Sequence, residues 1–374
     1  AYPPAEIEAA DLAGLALELA LWGAAPDDLA FLTPPNPGTY AEAQALLRML
    51  GALDDQARIT PHGKALAALP LHPRLAHMLT MAGAEAATLA ALLADRDPLS
   101  RGAPVDLSLR LSALRDPKAY ADRHPWPANR GAIERIRAEA KRLRAQTTTS
   151  GNTGLSDAAM AALAYPDRVG LRRKGNEPRF ILSGGKGAIL PQEDGLAATR
   201  LIVATDLDGD PREARIRQAI QISEAELRAL FSDQIPWPED CAWDKRERRV
   251  IARRRECFGQ VVLDDRIWKD APADQVALAM LDGVRDHGLN WSDAARRFVA
   301  RVELVRDGDD TLPDMREAAL LDSMEDWLLP HLTGVRSAGD WKAFDKLPAL
   351  EAMLDWPQRD RLDREVLARF TTPL

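Results

Sequence analysis

The chain has few cysteines, few aromatic residues and no long apolar run. Only Cys241 and Cys257 occur in 374 residues, too few for a disulfide framework, so we expect a reducing, cytoplasmic location. No run approaches the roughly 20 apolar residues that span a bilayer, and the first residues lack the features of a signal peptide. We therefore expect no membrane partner. Because the chain begins with Ala1 rather than Met, we expect a piece of a longer protein.

Motifs for chemistry are also missing. The turn 183–188 contains Gly and Lys186, but no Ser or Thr follows the lysine as a phosphate-binding P-loop requires. His72 and His77 are five residues apart on one predicted helix, which suits packing or capping better than metal binding. No serine or cysteine has the surroundings of a nucleophile. The sequence therefore predicts no catalytic residue, metal or cofactor in this chain.

Charge is distributed unevenly along the chain. The whole sequence carries 49 Lys and Arg against 57 Asp and Glu, a net charge of −8. Residues 1–100 hold 5 basic and 12 acidic side chains, whereas residues 101–150 hold 11 basic and 5 acidic ones. An acidic protein is not attracted to nucleic acid as a whole, but a local basic stripe can still follow a phosphate backbone.

Apolar periodicity and turn residues predict a multidomain, mainly α-helical protein. The predicted domains are a winged helix at 1–70, a helical bundle at 71–150, a small β-barrel of the OB-fold type at 151–235, and an α-rich C-terminal domain at 236–374. Seven of the nine Trp residues lie in the last domain. A polar stretch at 147–154 is the clearest predicted linker.

The winged helix is predicted from three capped helices and a short wing. Asp11 and Thr60 are expected to cap the first and third helices, and Thr39 with Glu42 reads as a capping box for the second. Two short extended pieces within 52–59 would form the wing.

The barrel is predicted from five short strands separated by glycine and aspartate turns. Their expected ranges are 167–173, 178–183, 187–190, 201–207 and 212–222. In the last domain, helices are expected at about 274–287, 292–306 and 314–329.

Basic side chains of the last bundle helix, the barrel and one arginine run are the candidate nucleic-acid contacts. They are Arg135, Lys141, Arg142, Arg144, Arg168, Arg172, Arg173, Lys174, Arg179, Lys186, Arg253 and Arg255. If 253–255 is a strand, Arg253 and Arg255 point one way and Arg254 the other. The alternative is that these charges form an ordinary solvated surface with ion pairs to nearby carboxylates.

Several short segments together resemble a known family. Residues 11–23, 59–63 and 69–75 resemble the part that follows the motor in DEAH-box helicases. Where that family usually has Asp-Pro or Glu-Pro, this chain has His72-Pro73. That variant, with Ala-Tyr-Pro-Asp-Arg-Val at 164–169, is similar to the bacterial HrpB branch.

The resemblance implies the accessory region of an ATP-dependent RNA helicase, a nucleoside triphosphate hydrolase. It implies a winged helix, a ratchet-like bundle, an OB-fold and an HrpB-type C-terminal domain that hold single-stranded RNA or DNA. It further implies that the partners include the protein's own RecA-like motor domains. ATP and Mg²⁺ would be bound there, so this chain alone would be inactive, and we expect a monomer.

Two other functions remain open at this stage. The Trp-rich last domain could dock another protein as a scaffold, in which case its tryptophans should be exposed. A free-standing winged-helix regulator is the other alternative, but the acidic balance of residues 1–100 disfavours it.

Overall fold

The computed structural model describes residues 7, 10–147, 154–210, 212–306 and 311–371, with side chains described as far as 365. The chain forms two compact units. The first comprises residues 1–236 together with 257–263, and the second comprises 237–256 together with 264–374. The predicted linker at 147–154 lies largely outside the described residues.

The first unit begins with the predicted winged helix. Its helices are α1 (Ala13–Trp22), α2 (Pro37–Met49) and α3 (Pro61–Ala67). The wing is reduced to one antiparallel bridge between Leu53 and Ile59. A small core of leucines and alanines joins the three helices, so the predicted three-helix arrangement is confirmed.

The predicted helix caps are present at two helices, and the third prediction is wrong. The Asp11 carboxylate accepts a hydrogen bond from the Ala13 amide at 2.8 Å, and the Thr60 hydroxyl caps α3. The capping box predicted at Thr39 is wrong, because Asn36 accepts from the amides of residues 38 and 39. Pro37 occupies the first helical position, where a missing N–H costs nothing, so α2 begins before Thr39.

The bundle follows directly and supplies most of the first unit's core. Its helices are α4 (Pro73–Ala82), α5 (Ala87–Ala94), α6 (Leu107–Arg115), α7 (Pro117–Arg123), α8 (Arg130–Gln146) and α9 (Asp157–Ala164). The stretch Pro73–Ala94 is long and apolar enough to cross a membrane, but 67% of it is buried within the fold. A core helix of this kind passes the same length and composition test.

Five strands form a closed barrel after the bundle. They are β1 (Val169–Arg172), β2 (Arg179–Leu182), β3 (Gly187–Ile189), β4 (Leu201–Leu207) and β5 (Glu213–Gln221), which confirms the predicted strands. The order around the barrel is β1-β2-β3-β5-β4. Strands β3 and β5 are parallel and the other pairs are antiparallel. Phe180 and its apolar neighbours fill the interior, and α10 (Glu224–Leu230) follows.

A three-stranded sheet comes next, and the sequence analysis largely missed it. Its strands are β6 (Glu239–Asp244), β7 (Arg249–Phe258) and β8 (Val261–Ile267), with β7 in the centre. Strand β6 and the first half of β7 are charged or half-exposed at most positions. The alternation of apolar and polar residues that marks a half-buried strand is therefore weak there.

The remainder of the second unit is helical around its own core. Its helices are α11 (Ala273–His287), α12 (Asp293–Arg306), α13 (Glu317–Asp322), α14 (Met324–Trp327), α15 (Ala338–Ala343), α16 (Leu347–Ala352) and α17 (Trp356–Thr371). The first two match the predicted helices. The third predicted helix is instead two short ones, α13 and α14, because the backbone leaves the helical region at Ser323.

Candidate nucleic-acid interface

Helix α8 presents a basic surface whose cations differ in their partners. Asn129 caps the helix through the Ala132 amide, and an apolar stripe holds its other side in the core. Arg135 contacts Asp95 at 3.3 Å, and Arg142 binds both oxygens of Glu139. These two predicted contacts are therefore largely neutralised.

Two other predicted cations of α8 have no acidic partner among the described residues. Arg144 reaches only the Thr88 hydroxyl, and Lys141 is exposed without an ion pair. An exposed cation with no fixed counter-charge releases counterions when it meets a phosphate. Among the predicted contacts on α8, Lys141 and Arg144 are thus the best suited to bind nucleic acid.

At the entrance to the barrel, a buried ion pair joins two segments that are distant in sequence. Arg74, which is 5% exposed, binds both carboxylate oxygens of Asp167, at 2.5 and 2.9 Å. Burial opposes the ionisation of Asp167, but the hydrogen bonds and charge of Arg74 outweigh it and hold the pKa of that carboxyl below its usual value. The guanidinium groups of Arg74 and Arg168 both lie about 5 Å from the Tyr165 ring. Arg168, a predicted nucleic-acid contact, is therefore half-buried and packs against Tyr165 in this cluster.

Histidines of the same region also have structural contacts. His72 caps α4 through the Arg74 amide, and its Nε2 lies 3.4 Å from Asp11. That hydrogen bond lowers the pKa of Asp11 well below its usual range. His77 Nδ1 lies 2.8 Å from His62 Nε2. The predicted packing and capping functions of His72 and His77 are confirmed.

Two barrel arginines that were predicted to contact nucleic acid already have partners within the barrel. Arg172 donates from Nε to the carbonyl of Ala197 at 2.8 Å and so fixes the loop before β4. Arg179 lies 2.9 Å from Glu177 and 3.4 Å from Glu213. Neither is a free cation.

The remaining predicted barrel cations are exposed, and no ion pair of theirs occurs in the part of the chain that the structure describes. These are Arg173 and Lys174, in the loop between β1 and β2, and Lys186, in the turn between β2 and β3. A methyl group placed on Gly187 would lie 3.9 Å from Arg173 Nη2 and 3.7 Å from the Arg212 carbonyl oxygen. Arg173 therefore extends towards the start of β3, beside the loop between β4 and β5.

Strand β5 adds basic residues that the sequence analysis did not select. Arg215 and Arg217 are exposed on its outer side, and Arg215 is level with Ile189 of β3. Ile189 is in turn level with Arg179 of β2. The sequence feature that predicts their exposure is the alternation Glu-Ala-Arg-Ile-Arg at 213–217, which puts every second residue on one face.

The basic residues of the barrel form one named set. We call Arg173, Lys174, Arg179, Lys186, Arg212, Arg215 and Arg217 the barrel basic face.

The arginine run of β7 lies in the second unit and is paired throughout. Arg253 and Arg255 both approach Asp265, at 3.1 and 3.9 Å, whereas Arg254 contacts Glu239 at 2.8 Å. The predicted alternation of faces is confirmed. These contacts match the alternative interpretation, in which the arginines form a solvated surface with ion pairs to nearby carboxylates.

Most tryptophans of the second unit are not available for docking. Trp268, Trp327 and Trp341 are buried, and Trp237 and Trp356 are exposed by 40% and 77%. The exposure expected of a scaffold is therefore absent for most of the set. No group of His, Cys, Asp and Glu among the described residues could hold a metal ion.

Comparison with known proteins agrees with this architecture. A family profile described as "Helicase associated domain (HA2), winged-helix" matches residues 43–71. The Escherichia coli ATP-dependent RNA helicase HrpB is 32% identical over 98% of this chain, which covers 44% of that protein. A crystal structure of E. coli HrpB superposes with a TM-score of 0.60 and 31% identity, covering 97% of this chain and 44% of that one. The human probable ATP-dependent RNA helicase DHX34 is 30% identical over 35% of this chain and 11% of its own length. The chain thus spans less than half the length of the curated relatives it matches.

Proposed function

Because the chain is homologous over nearly its whole length to the C-terminal region of the HrpB-type DEAH helicases, we propose that it holds single-stranded nucleic acid for a helicase motor. The observation that carries the proposal is the barrel basic face. Its members Arg173, Lys174 and Lys186 are exposed and unpaired among the described residues. Such side chains bind phosphates electrostatically, with little dependence on base sequence.

The topology of the barrel supports this proposal. Five strands in the order β1-β2-β3-β5-β4, closed with β3 parallel to β5, are the arrangement we assign to an OB-fold. OB-folds bind oligonucleotides on the face of strands 2 and 3 and on the loops that follow strands 1 and 4. Arg173 and Lys174 occupy the first of those loops, and Arg212 ends the second.

The barrel would grip phosphates rather than bases. Phe180 is the only aromatic residue between 169 and 221, and it is completely buried. The stacking platform that many single-strand binders use is therefore missing from the strands of this barrel. Binding by phosphate contacts alone should weaken steeply as salt is added.

A surface of the winged helix supports coupling to motor domains. Trp22 is 68% exposed, and Leu21, Leu29 and Leu32 near it in sequence are also exposed. Grouped apolar exposure of this kind marks an interaction site more often than a free surface. We propose that RecA-like domains, which would bind ATP and Mg²⁺, cover this surface in the full protein, and that the assembly is monomeric and cytoplasmic.

The test is a titration of the chain with fluorescent single-stranded RNA of about 12 nucleotides, within the range covered by one OB-fold. We expect the logarithm of the affinity to fall with the logarithm of salt, with a slope of about −2 to −3.5 for three to five phosphates. Arg173→Glu with Lys174→Glu should weaken binding strongly. The matched control is Arg48→Glu with Lys64→Glu, which reverses two exposed cations of the winged helix that have no ion pair within the described residues. Equal weakening by both double variants, or no binding at low salt, would contradict the proposal.

A further inference from the structure

The segment between helices α7 and α8 carries a short ladder of aromatic rings. Tyr120, on α7, is 2% exposed, and its ring centroid lies 4.7 Å from that of His124. The His124 centroid lies 6.2 Å from that of Trp126, and the two ring planes are 23° apart. Tyr120 belongs to the core of the first unit, whereas His124 and Trp126 are half-buried. The ladder thus runs from the core to the surface and ends at Trp126.

Trp126 has few other packing partners. In the part of the chain that the structure describes, it belongs to none of the apolar cores and is not one of the half-buried side chains that pack against them. No described cation lies over its ring. Its one described ring contact is the stack with His124, and part of the indole surface remains accessible to solvent.

Backbone hydrogen bonds hold this tryptophan in place. The Ser100 amide donates to the carbonyl of Pro127 at 3.1 Å, and the Asn129 amide donates to the carbonyl of Pro98 at 2.8 Å. A proline on either side of Trp126 fixes its own φ angle. A ring that is already fixed loses little entropy when a ligand stacks on it. The indole is therefore presented on a preorganised support.

The same support is joined to the barrel basic face. The Ala219 amide, on β5, donates to the carbonyl of Val105 at 3.0 Å, and Arg217 precedes Ala219 by two positions on that strand. Val105 follows Ser100 by five positions, a span of at most about 18 Å. Because Ser100 is bonded to the residue after Trp126, a single strand of about 12 nucleotides that binds the barrel basic face can also reach the indole.

Exposed cations flank the tryptophan. Arg123 and Arg130 lie on either side of it in sequence, and Arg101 follows the serine that bonds to its neighbour. All three are exposed and have no ion pair within the described ranges. Residues 117–130 hold three basic side chains and one acidic one, Asp122. The surroundings of the ring therefore favour an anion, whereas the ring itself favours a flat apolar partner.

We propose that Trp126 stacks on one base of the single strand that the barrel basic face holds, and that the three flanking arginines contact the phosphates beside that base. A base has a flat apolar face next to an anionic phosphate, which matches both the ring and the cations. An aliphatic side chain would leave the cations without a counter-charge, and an acidic peptide would leave the ring without a stacking partner. This inference rests on the proposed function and adds the base contact that the barrel strands lack.

The experiment titrates the full chain with a fluorescent single-stranded RNA of about 12 nucleotides. Trp126→Leu should weaken binding at least about fivefold, the lower end of the effect of one lost base–aromatic stack. Trp126→Phe keeps an aromatic ring, so its affinity should stay within about threefold of the wild-type chain. The control for the change of residue is Trp356→Leu, at a tryptophan of the second unit that is 77% exposed, which should leave the affinity unchanged.

An oligomer without bases separates stacking from a merely structural effect. An oligomer of the same length with abasic sites throughout keeps the phosphates and loses the bases. The wild-type chain should bind it at least about fivefold more weakly than the RNA, because the stack is missing. The Trp126→Leu variant should bind the two oligomers about equally, since the stack is already lost. An equal loss of affinity for both oligomers in this variant would assign Trp126 to structure and overturn the inference.

The outcomes also separate this inference from the proposed function. If Arg173→Glu with Lys174→Glu weakens binding while Trp126→Leu behaves like Trp356→Leu, the stacking inference alone is wrong. If Trp126→Leu weakens binding and the barrel variant does not, the stacking site is supported and the function proposed for the barrel is wrong. Absence of binding at low salt would contradict both.

Discussion

The barrel and strand β7 both expose arginines, yet the two regions treat them differently. In β7, Arg253 and Arg255 share Asp265, and Arg254 is held by Glu239. On the barrel basic face, Arg173 and Lys174 have no such partner among the described residues. Both regions carry exposed cations, so the neighbouring carboxylates decide which of them can bind a phosphate. A third group of ionisable side chains stabilises the fold instead of binding a phosphate. It comprises the buried ion pair of Arg74 with Asp167 and the neutral histidines His62 and His77.

The largest effect should come from breaking the buried pair. Asp167→Asn removes the carboxylate to which the buried Arg74 guanidinium donates two hydrogen bonds, which should lower the free energy of unfolding by about 3–5 kcal/mol. Chemical denaturation followed by circular dichroism measures this. The control is Glu177→Gln, which removes an exposed partner of Arg179 and should cost no more than about 1 kcal/mol. Equal costs for the two variants would show that Arg74 is not held as described.

Acid should destabilise the fold through the half-buried histidine pair His62 and His77. Burial, together with the adjacent His62, lowers the pKa of His77 to about 4 from 6.5, and burial also lowers the pKa of His62. The unfolded chain then binds more protons than the folded one, so this stability is complete above pH 6.5 and is lost as the pH falls towards 4.

Thermal denaturation across this pH window checks the expectation. The His77→Gln variant should flatten the dependence between pH 6.5 and 4. The paired carboxylates Asp11 and Asp167 would still act, but mainly below their unfolded value of 3.8. A wild-type melting temperature that is level from pH 7 to 4.5 would exclude a depressed histidine pKa.

Reversal of charge on the barrel basic face should change binding without changing stability. We expect Arg173→Glu with Lys174→Glu to lower RNA affinity at least about tenfold, because each phosphate contact contributes through counterion release. The melting temperature should stay within about 2 °C, since neither side chain has a described partner and exposed substitutions cost little. Loss of the fold in this variant would assign these residues to structure.

The smallest effect is expected in β7. Arg253→Gln with Arg255→Gln removes two exposed pairs that share one carboxylate, so stability should change by no more than about 1 kcal/mol. RNA affinity should change less than about twofold, because both arginines are already engaged by Asp265. A loss as large as that of the barrel variant would place the nucleic-acid path on the second unit as well.

Local sequence patterns were sufficient for much of the fold. Alternating apolar residues and glycine or aspartate turns predicted all five barrel strands, because a closed barrel with a filled interior imposes period two on every strand. The three-stranded sheet was largely missed because β6 and much of β7 lack a clean apolar face. The cap of α2 was misplaced because Asn36 and Thr39 are both good capping residues, and only Pro37 favours the earlier start.

The candidate site was less accessible to sequence reasoning. Whether a cation is free depends on carboxylates far away in the chain, such as Asp95, which is 40 residues from Arg135. Arg172 was selected as a contact, but its guanidinium is used by the carbonyl of Ala197, 25 residues away. Arg215 and Arg217 were not predicted although their strand was, because they form no run of charge and are recognised only from the exposed face of β5.

The pairing of Arg74 with Asp167 has a consequence for where the chain can be divided. The two residues are 93 positions apart, and the predicted boundary at residue 150 falls between them. A fragment that ends there would keep the arginine in the interior and lose the carboxylate to which it donates two hydrogen bonds. It would also lose α9 and the barrel residues that complete the same apolar core. The bundle should therefore not be an autonomous folding unit, and the pair closes a long loop that can form only after residue 167 has been synthesised.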